Sequence, residues 1–145
     1  MQFIDLSAQY AALKTEINRN IQSVLDSAQF IGGPCVKELE AQLAAFVGRK
    51  HCVTCANGTD ALQIAYMMAG VGAGDAVFCP DMTFISSTEP AVMLGATPVF
   101  CDITADTYTL DPASLERQIQ AVLAEGKLTP KAVVAVDILG NPCDY

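Results

Sequence analysis

The sequence has little positive charge and no run of basic residues. Lys and Arg total 8 against 16 Asp and Glu, which gives a formal net charge of -8 over 145 residues. Because affinity for nucleic-acid phosphates is built from clustered Lys and Arg, this composition argues against nucleic-acid binding. No apolar run approaches membrane-spanning length, and the first residues lack the basic segment and apolar core of a secretory signal. We therefore predict a cytoplasmic protein with no membrane partner.

Histidine, a common metal ligand, is also scarce. His51 is the single histidine, and Cys52 and Cys55 form a CxxC spacing with no second CxxC and no histidine pair. A structural zinc site needs four ligands, so we predict no metal site. Four of the six cysteines lie in apolar, strand-like runs, which is typical of buried thiols in a reduced protein. The cysteines are at positions 35, 52, 55, 79, 101 and 143.

The stretch Cys52–Leu62 is the segment around which the remaining chain is organised. It predicts a short buried strand, a tight turn at Asn57-Gly58, and a helix that begins at Thr59 and Asp60. The first amides of a helix and the positive end of its dipole favour a phosphate. A glycine lets the backbone approach such a group, and Thr59 adds a hydroxyl donor. The same residues also suit an ordinary turn and an ordinary helix N-cap.

Strands and helices alternate along the chain, and the strands are continuous apolar runs. Strands are predicted at residues 52–55, 76–79, 97–103 and 132–139. Helices are predicted at residues 8–26, 34–47, 59–69, 86–94 and 112–125. Continuous apolar strands that alternate with helices indicate an α/β fold, in which a mainly parallel sheet is covered by helices on both faces. We divide the chain into an N-terminal helix and loop, residues 1–34, and an α/β core, residues 35–145.

Two further segments carry candidate site residues. Phe84 follows the strand at 76–79 and precedes a helix, so it lies at the carboxyl edge of the sheet, where ligands bind in open α/β folds. Its ring could face a planar ligand or simply pack in the core. The segment Gln29–Pro34 contains two apolar residues and two glycines. It is either a simple helix connector or a loop that lines a site or a partner surface.

Seven short segments form an ordered set along the chain. Their order and spacing resemble those of the nucleotide-sugar aminotransferases, the DegT/StrS type of pyridoxal 5'-phosphate (PLP) enzymes with the aspartate-aminotransferase fold. The resemblance covers essentially the whole chain and is to the N-terminal part of such enzymes only. The segments are Phe3-Ile4-Asp5-Leu6 with Gln9-Tyr10, Gln29–Pro34, Ala56–Leu62, Asp81–Phe84, Gly95–Val99, Asp106–Pro112 and Gly140-Asn141-Pro142.

The resemblance implies roles for individual residues. Gly58, Thr59 and Asp60 correspond to the residues that cradle the PLP phosphate, and Phe84 to the aromatic ring that stacks on the pyridine ring. Gln29 and Phe30 belong to the loop that approaches the sugar substrate or the neighbouring subunit. The implied reaction transfers an amino group from glutamate to a keto nucleotide-sugar, in the synthesis of amino sugars, lipopolysaccharide or other cell-surface polysaccharides. Such enzymes are homodimers.

The chain departs from the family at its catalytic groups. The Schiff-base lysine and the carboxylate that pairs with the pyridine nitrogen lie after the segment that corresponds to Gly140-Asn141-Pro142. No catalytic residue is therefore assigned within residues 1–145. The five lysines are each better explained as solvated charges. Asp137 is better explained as a packing residue, or as a residue that contacts the site residues and not the ligand itself. These lysines are Lys14, Lys37, Lys50, Lys127 and Lys131.

Three interpretations remain open from the sequence. The chain is an N-terminal fragment of an aminotransferase that is inactive alone and in which cofactor binding is doubtful, or it is a short homologue that acts as a binding or structural module. The third is a generic nucleotide-binding α/β domain. That interpretation predicts a Gly-x-Gly-x-x-Gly or a Gly-Lys-Thr after the first strand, and the sequence contains neither.

Overall fold

The computed structural model describes residues 3–145, so the first two residues of the predicted N-terminal segment lie outside the described residues. The chain divides into two compact units, one up to Thr54 and one from Cys55 to Tyr145. The first unit contains α1 (Leu6–Ser27) and α2 (Pro34–Phe46). The second contains α3 (Gly58–Met68), β1 (Asp75–Pro80), α4 (Glu89–Met93), β2 (Thr97–Cys101), α5 (Pro112–Glu125) and β3 (Thr129–Val133), with 3-10 helices at Ile85–Ser87 and Ile138–Gly140.

The sheet of the second unit is parallel and has the strand order β2-β1-β3. Five of the six residues of β1 are fully buried, since this strand is the middle one and helices cover both of its faces. One core contains Tyr66 of α3 with Val77 and Ala91. The other core contains Phe78 with Val122 of α5. The predicted α/β class with a doubly covered parallel sheet is therefore confirmed.

The helix ends follow the capping residues in the sequence. The side chain of Asp111 accepts hydrogen bonds from the amides of Ala113 (2.9 Å) and Ser114 (3.2 Å), and Pro112 occupies the first turn of α5. Gly126 ends the same helix in the left-handed conformation, with φ of 69°. Because a carboxylate cap, a first-turn proline and a terminal glycine each favour one end of a helix, α5 begins and ends as predicted.

The predicted strand at residues 52–55 is wrong. Residues 51–55 form no strand, and Val53 is 81% exposed. A strand needs a hydrogen-bonded neighbour, and within residues 3–145 no segment pairs with this one. The apolar character of the stretch identifies a strand only if such a neighbour is present.

The predicted helix at residues 86–94 is divided in two. A 3-10 helix ends at Ser87, and α4 begins at Glu89 after a break at Thr88, where φ is -121°. Pro90 explains the break, because a proline inside a continuous helix has no N–H for the helical ladder and its ring clashes with the preceding turn. At the start of α4 the same proline is tolerated.

The predicted strand at residues 132–139 is shorter and begins earlier, as β3 at Thr129–Val133. The last bond of its ladder runs from the amide of Val134 to the carbonyl of Phe78, at 2.8 Å. In a parallel ladder the next bond would come from the amide of residue 80, which is a proline without an N–H. Pairing between β1 and β3 therefore stops there, and four residues without regular structure lead to the 3-10 helix at Ile138–Gly140.

Within residues 3–145, no helix combines the length and the apolar character that a bilayer crossing needs.

Candidate functional site

The start of α3 is built by Asn57, which is the N-cap, so that the helix begins at Gly58, one residue before the predicted start. The side-chain oxygen of Asn57 accepts a hydrogen bond from the amide of Asp60 at 2.9 Å, and its side-chain nitrogen donates to the Asp60 carboxylate at 3.2 Å. The carbonyl of Asn57 accepts from the amide of Ala61 at 3.1 Å. The two hydrogen bonds between Asn57 and Asp60 resemble a capping box and fix the direction of the first turn.

The amides of Gly58 and Thr59 have no acceptor among residues 3–145, in contrast to those of Asp60 and Ala61. Two unpaired N–H groups therefore point out of the helix N-terminus, where the helix dipole adds a positive potential. The amide of Asp60, which we expected to join them, is already donated to Asn57. The available donors are thus Gly58 and Thr59.

The space in front of Gly58 is open. A Cβ atom added at Gly58 would meet no heavy atom within 4 Å. The backbone at this position is not in the left-handed region, so the conformation itself does not require glycine. The free space and the two unpaired amides together form a cradle that a small anion could enter from solvent.

Phe84 lies four residues after the end of β1, at the carboxyl edge of the sheet, as predicted. Its side chain is 72% exposed. The turn that follows it is closed by a hydrogen bond from the amide of Ser87 to the carbonyl of Phe84, at 3.0 Å. The hydroxyls of Thr83 and Ser87 contact each other at 2.8 Å. The ring is therefore presented to solvent from a closed, hydrogen-bonded turn.

Tyr66 connects α3 to this turn, a contact that the sequence did not reveal. Its hydroxyl donates a hydrogen bond to the carbonyl of Ser87, and both residues are buried. Burial, and secondarily the neighbouring Cys79, raises the pKa of Tyr66 to about 12, so the phenol stays protonated and remains a donor. The helix that begins at the cradle and the turn that carries Phe84 are thus joined by one buried hydrogen bond.

Gln29 and Phe30 lie in the first unit, in the connection between α1 and α2, and both are exposed. This loop needs its glycines. A Cβ on Gly33 would lie 2.5 Å from the Gln29 carbonyl oxygen, and Gly32 has φ of +60°. The sequence correctly indicated a turn with unusual backbone demands. Its contact with a substrate or subunit stays a prediction.

Glu40 of α2 binds the segment that precedes the turn at Asn57. One of its carboxylate oxygens accepts hydrogen bonds from the amide and the hydroxyl of Thr54, both at 2.9 Å. The hydrogen bond from the Thr54 amide is the main cause that lowers the pKa of Glu40, and the hydrogen bond from the Thr54 hydroxyl is the second. Residues 51–55 pair with no strand within the described chain. The Glu40 carboxylate therefore accepts a backbone N–H that the carbonyl of a neighbouring strand would accept in a sheet. A pairing over 14 residues leaves no sequence signal.

We expect the Glu40–Thr54 contact to depend on pH. Because the pKa of Glu40 is lowered in the folded chain, the contact stabilises the fold above the ordinary value of 4.5 and is lost as the pH falls through the lowered value. NMR titration of the Thr54 amide should show a midpoint below 4.5. Glu40→Gln should remove that transition, whereas Glu38→Gln, an exposed neighbour on α2, should leave it unchanged. A Thr54 midpoint at or above 4.5 would contradict the contact.

Comparison with protein-family models gives a match over residues 11–145 to the DegT/DnrJ/EryC1/StrS aminotransferase family. The chain belongs to this family. The match spans both compact units, including the α3 cradle and the Phe84 turn. The resemblance that the seven segments indicated is therefore confirmed.

Individual members of the family agree with this assignment. The chain is 47% identical to the UDP-2-acetamido-2-deoxy-3-oxo-D-glucuronate aminotransferase of Pseudomonas aeruginosa, and the match covers 100% of this chain and 38% of the relative. A family aminotransferase from Brucella abortus has 43% identity and a TM-score of 0.95, over 100% of this chain and 39% of that one. The chain thus spans less than two-fifths of the length of these family members.

The family is PLP-dependent, and one relative has been solved in its PLP form. A sugar aminotransferase from Streptococcus pneumoniae, solved in its PLP form, has 33% identity and a TM-score of 0.71, over 86% of this chain and 31% of that one. The residues of our chain fit the phosphate end of such a cofactor. They offer two unpaired amides, a hydroxyl and open space at Gly58, which are the groups that a phosphate dianion needs.

Proposed function

We propose that this chain forms the phosphate-binding side of a PLP-dependent aminotransferase that acts on a keto nucleotide-sugar. The observation that carries the proposal is the pair of unpaired amides at Gly58 and Thr59, at the N-terminus of an 11-residue helix. Membership of the aminotransferase family supports it, as does the name of the Pseudomonas relative, which specifies a UDP-sugar with a 3-oxo group. Glutamate is the proposed amino donor.

The proposed roles follow from the groups that each residue offers. The amides of Gly58 and Thr59 and the Thr59 hydroxyl donate to phosphate oxygens. Asp60 is proposed to act through Asn57, because its amide and carboxylate are both engaged by that side chain.

Phe84 offers an exposed ring face for stacking on a pyridine ring. Bound PLP supplies the electron sink for the transfer, and Gln29 and Phe30 are proposed to approach the sugar.

We propose that this chain alone does not catalyse transamination. Lys127 is paired with Glu125, and Lys131 is exposed on β3, so neither is proposed to bind the cofactor covalently. Lys14, Lys37 and Lys50 are exposed in the first unit. The loss of a catalytic nucleophile or base commonly lowers rates by orders of magnitude. We therefore expect binding of the phosphate end without turnover.

Assembly as a homodimer and a cytoplasmic location belong to the same proposal. Helix α1 has no buried residue, and its apolar side chains at Tyr10, Leu13, Ile21 and Leu25 are exposed, which leaves apolar area for a second copy. All six cysteines lie among the described residues and all are free thiols, which suits a reducing compartment.

The test compares pyridoxine 5'-phosphate with pyridoxine, two cofactor analogues that cannot form a covalent bond with lysine. We expect the phosphorylated analogue to bind this chain at least about tenfold more tightly, since each hydrogen bond to a charged group contributes about 1.5–3 kcal/mol. Equilibrium dialysis at fixed ionic strength measures both affinities. Equal affinity for the two analogues would overturn the phosphate cradle.

A further inference from the structure

We propose that Tyr66 is a positioning residue of the cofactor site, which holds the turn that carries Phe84 against the helix that begins at Gly58 and Thr59. This inference rests on the proposed function and deepens it. The bond from the Tyr66 hydroxyl to the Ser87 carbonyl is the observation that carries it. Phe84 itself is exposed, so its placement depends on the backbone behind it and not on packing of its own ring.

Ser87 concentrates three contacts in one buried residue. Its amide donates to the Phe84 carbonyl at 3.0 Å, its hydroxyl contacts that of Thr83 at 2.8 Å, and its carbonyl accepts from Tyr66. The first two contacts fix the shape of the turn around Phe84. The third is the only side-chain hydrogen bond, within residues 3–145, that ties this turn to α3.

The position of Tyr66 on α3 suits this role. Thr59 and Tyr66 are seven residues apart, so they lie on the same face of the helix, about 10 Å apart along its axis. Because a helix of this length is stiff, the hydrogen bond from Tyr66 fixes the position of the turn relative to the amides at the N-terminus of α3. The phenol is kept protonated by its burial, which makes it a donor at any physiological pH.

The test is a double-mutant cycle between Tyr66→Phe and Phe84→Ala, read as affinity for pyridoxine 5'-phosphate. We expect Tyr66→Phe alone to weaken binding about tenfold, because the aromatic ring then samples positions off the cofactor. In the Phe84→Ala background the same change should cost less than about twofold, since no ring remains to be positioned. Tyr10→Phe, which removes the exposed hydroxyl that contacts Asn18, is the matched control and should change nothing.

Equal affinity of wild type and Tyr66→Phe would overturn the inference, as would a tenfold loss that persists in the Phe84→Ala background. A merely structural hydroxyl would give that second result. If Tyr66→Phe does not fold, Thr83→Val removes another of the three contacts of Ser87, and we expect the same dependence on Phe84. A loss of affinity on Thr83→Val that is equally large in the wild-type and Phe84→Ala backgrounds would then overturn the inference.

Hydrogen exchange separates this inference from the proposed function. In the ligand-free chain the Ser87 amide, which donates to Phe84, should exchange at least several-fold faster in Tyr66→Phe than in wild type. If wild type binds no pyridoxine 5'-phosphate, the proposed function fails, and the exchange rate alone then decides whether Tyr66 holds the turn. An unchanged rate would overturn the positioning role.

Discussion

Gly58→Asp is expected to abolish binding of pyridoxine 5'-phosphate, with a loss on the order of 100-fold or more, while the fold is kept. The added carboxylate would project into the open space at the cradle, because a Cβ at Gly58 meets nothing within 4 Å. A like charge about 4 Å from the phosphate costs about 4 kcal/mol at a surface dielectric near 20. Folding is spared because an acidic residue in the first turn of a helix is favoured by the dipole.

The control for this prediction is Gly48→Asp, which makes the same change of charge in the first unit. Its Cβ also meets nothing within 4 Å, and its φ of +65° is one that aspartate tolerates better than most residues. Dialysis measures the affinity of both variants, and circular dichroism measures their helix content. Retained phosphate binding in Gly58→Asp, at wild-type helix content, would remove α3 as the binding site.

Phe78→Ala should have the largest effect on stability, with a loss of about 3–5 kcal/mol. Phe78 is 1% exposed on β1, where it packs in one core with Cys101 and Val122. Domains have total stabilities of about 5–15 kcal/mol, so this single change removes much or all of the fold. Urea unfolding followed by circular dichroism measures it, since the chain has no tryptophan.

Phe100→Ala removes the same side chain from the neighbouring strand β2 and is the matched control. Phe100 is 52% exposed, so we expect a loss of about 1 kcal/mol. The unfolding midpoint of Phe78→Ala should fall well below that of Phe100→Ala. Equal midpoints for the two variants would contradict the assignment of β1 as the buried centre of the sheet.

The sequence predicts the elements whose causes are local. The continuous apolar run at 76–79 marks the buried strand β1, and Asp111, Pro112 and Gly126 mark the two ends of α5. These signals are carried by a few adjacent residues, so they can be recognised without knowledge of the fold.

The elements that depend on a distant neighbour were predicted less well. Residues 52–55 have the composition of a strand but no partner among the described residues. The end of β3 is decided by Pro80, which lies on a different strand and lacks the next N–H of the ladder. Neither outcome can be deduced from the segment itself, because the deciding group lies elsewhere in the chain.

The candidate site shows the same division. The Asn57-Gly58-Thr59 turn is recognisable from sequence, and the spacing of Asn57 and Asp60 also carries the capping signal that would have indicated the engaged Asp60 amide. The bond from Tyr66 to Ser87 joins residues 21 positions apart and has no sequence signature. Local chemistry therefore predicts the phosphate cradle, and only the fold reveals the bond that ties the Phe84 turn to α3.

Phosphate binding at the start of α3 can be observed directly by following the backbone amide resonances of Gly58 and Thr59 while pyridoxine 5'-phosphate is added. We predict large, saturable downfield shifts of these two amide protons, because they gain a charged acceptor that they lack within the described chain. The Asp60 amide, already bonded to Asn57, should move much less. Saturable binding that leaves the Gly58 and Thr59 resonances in place would show that the phosphate does not bind at these amides.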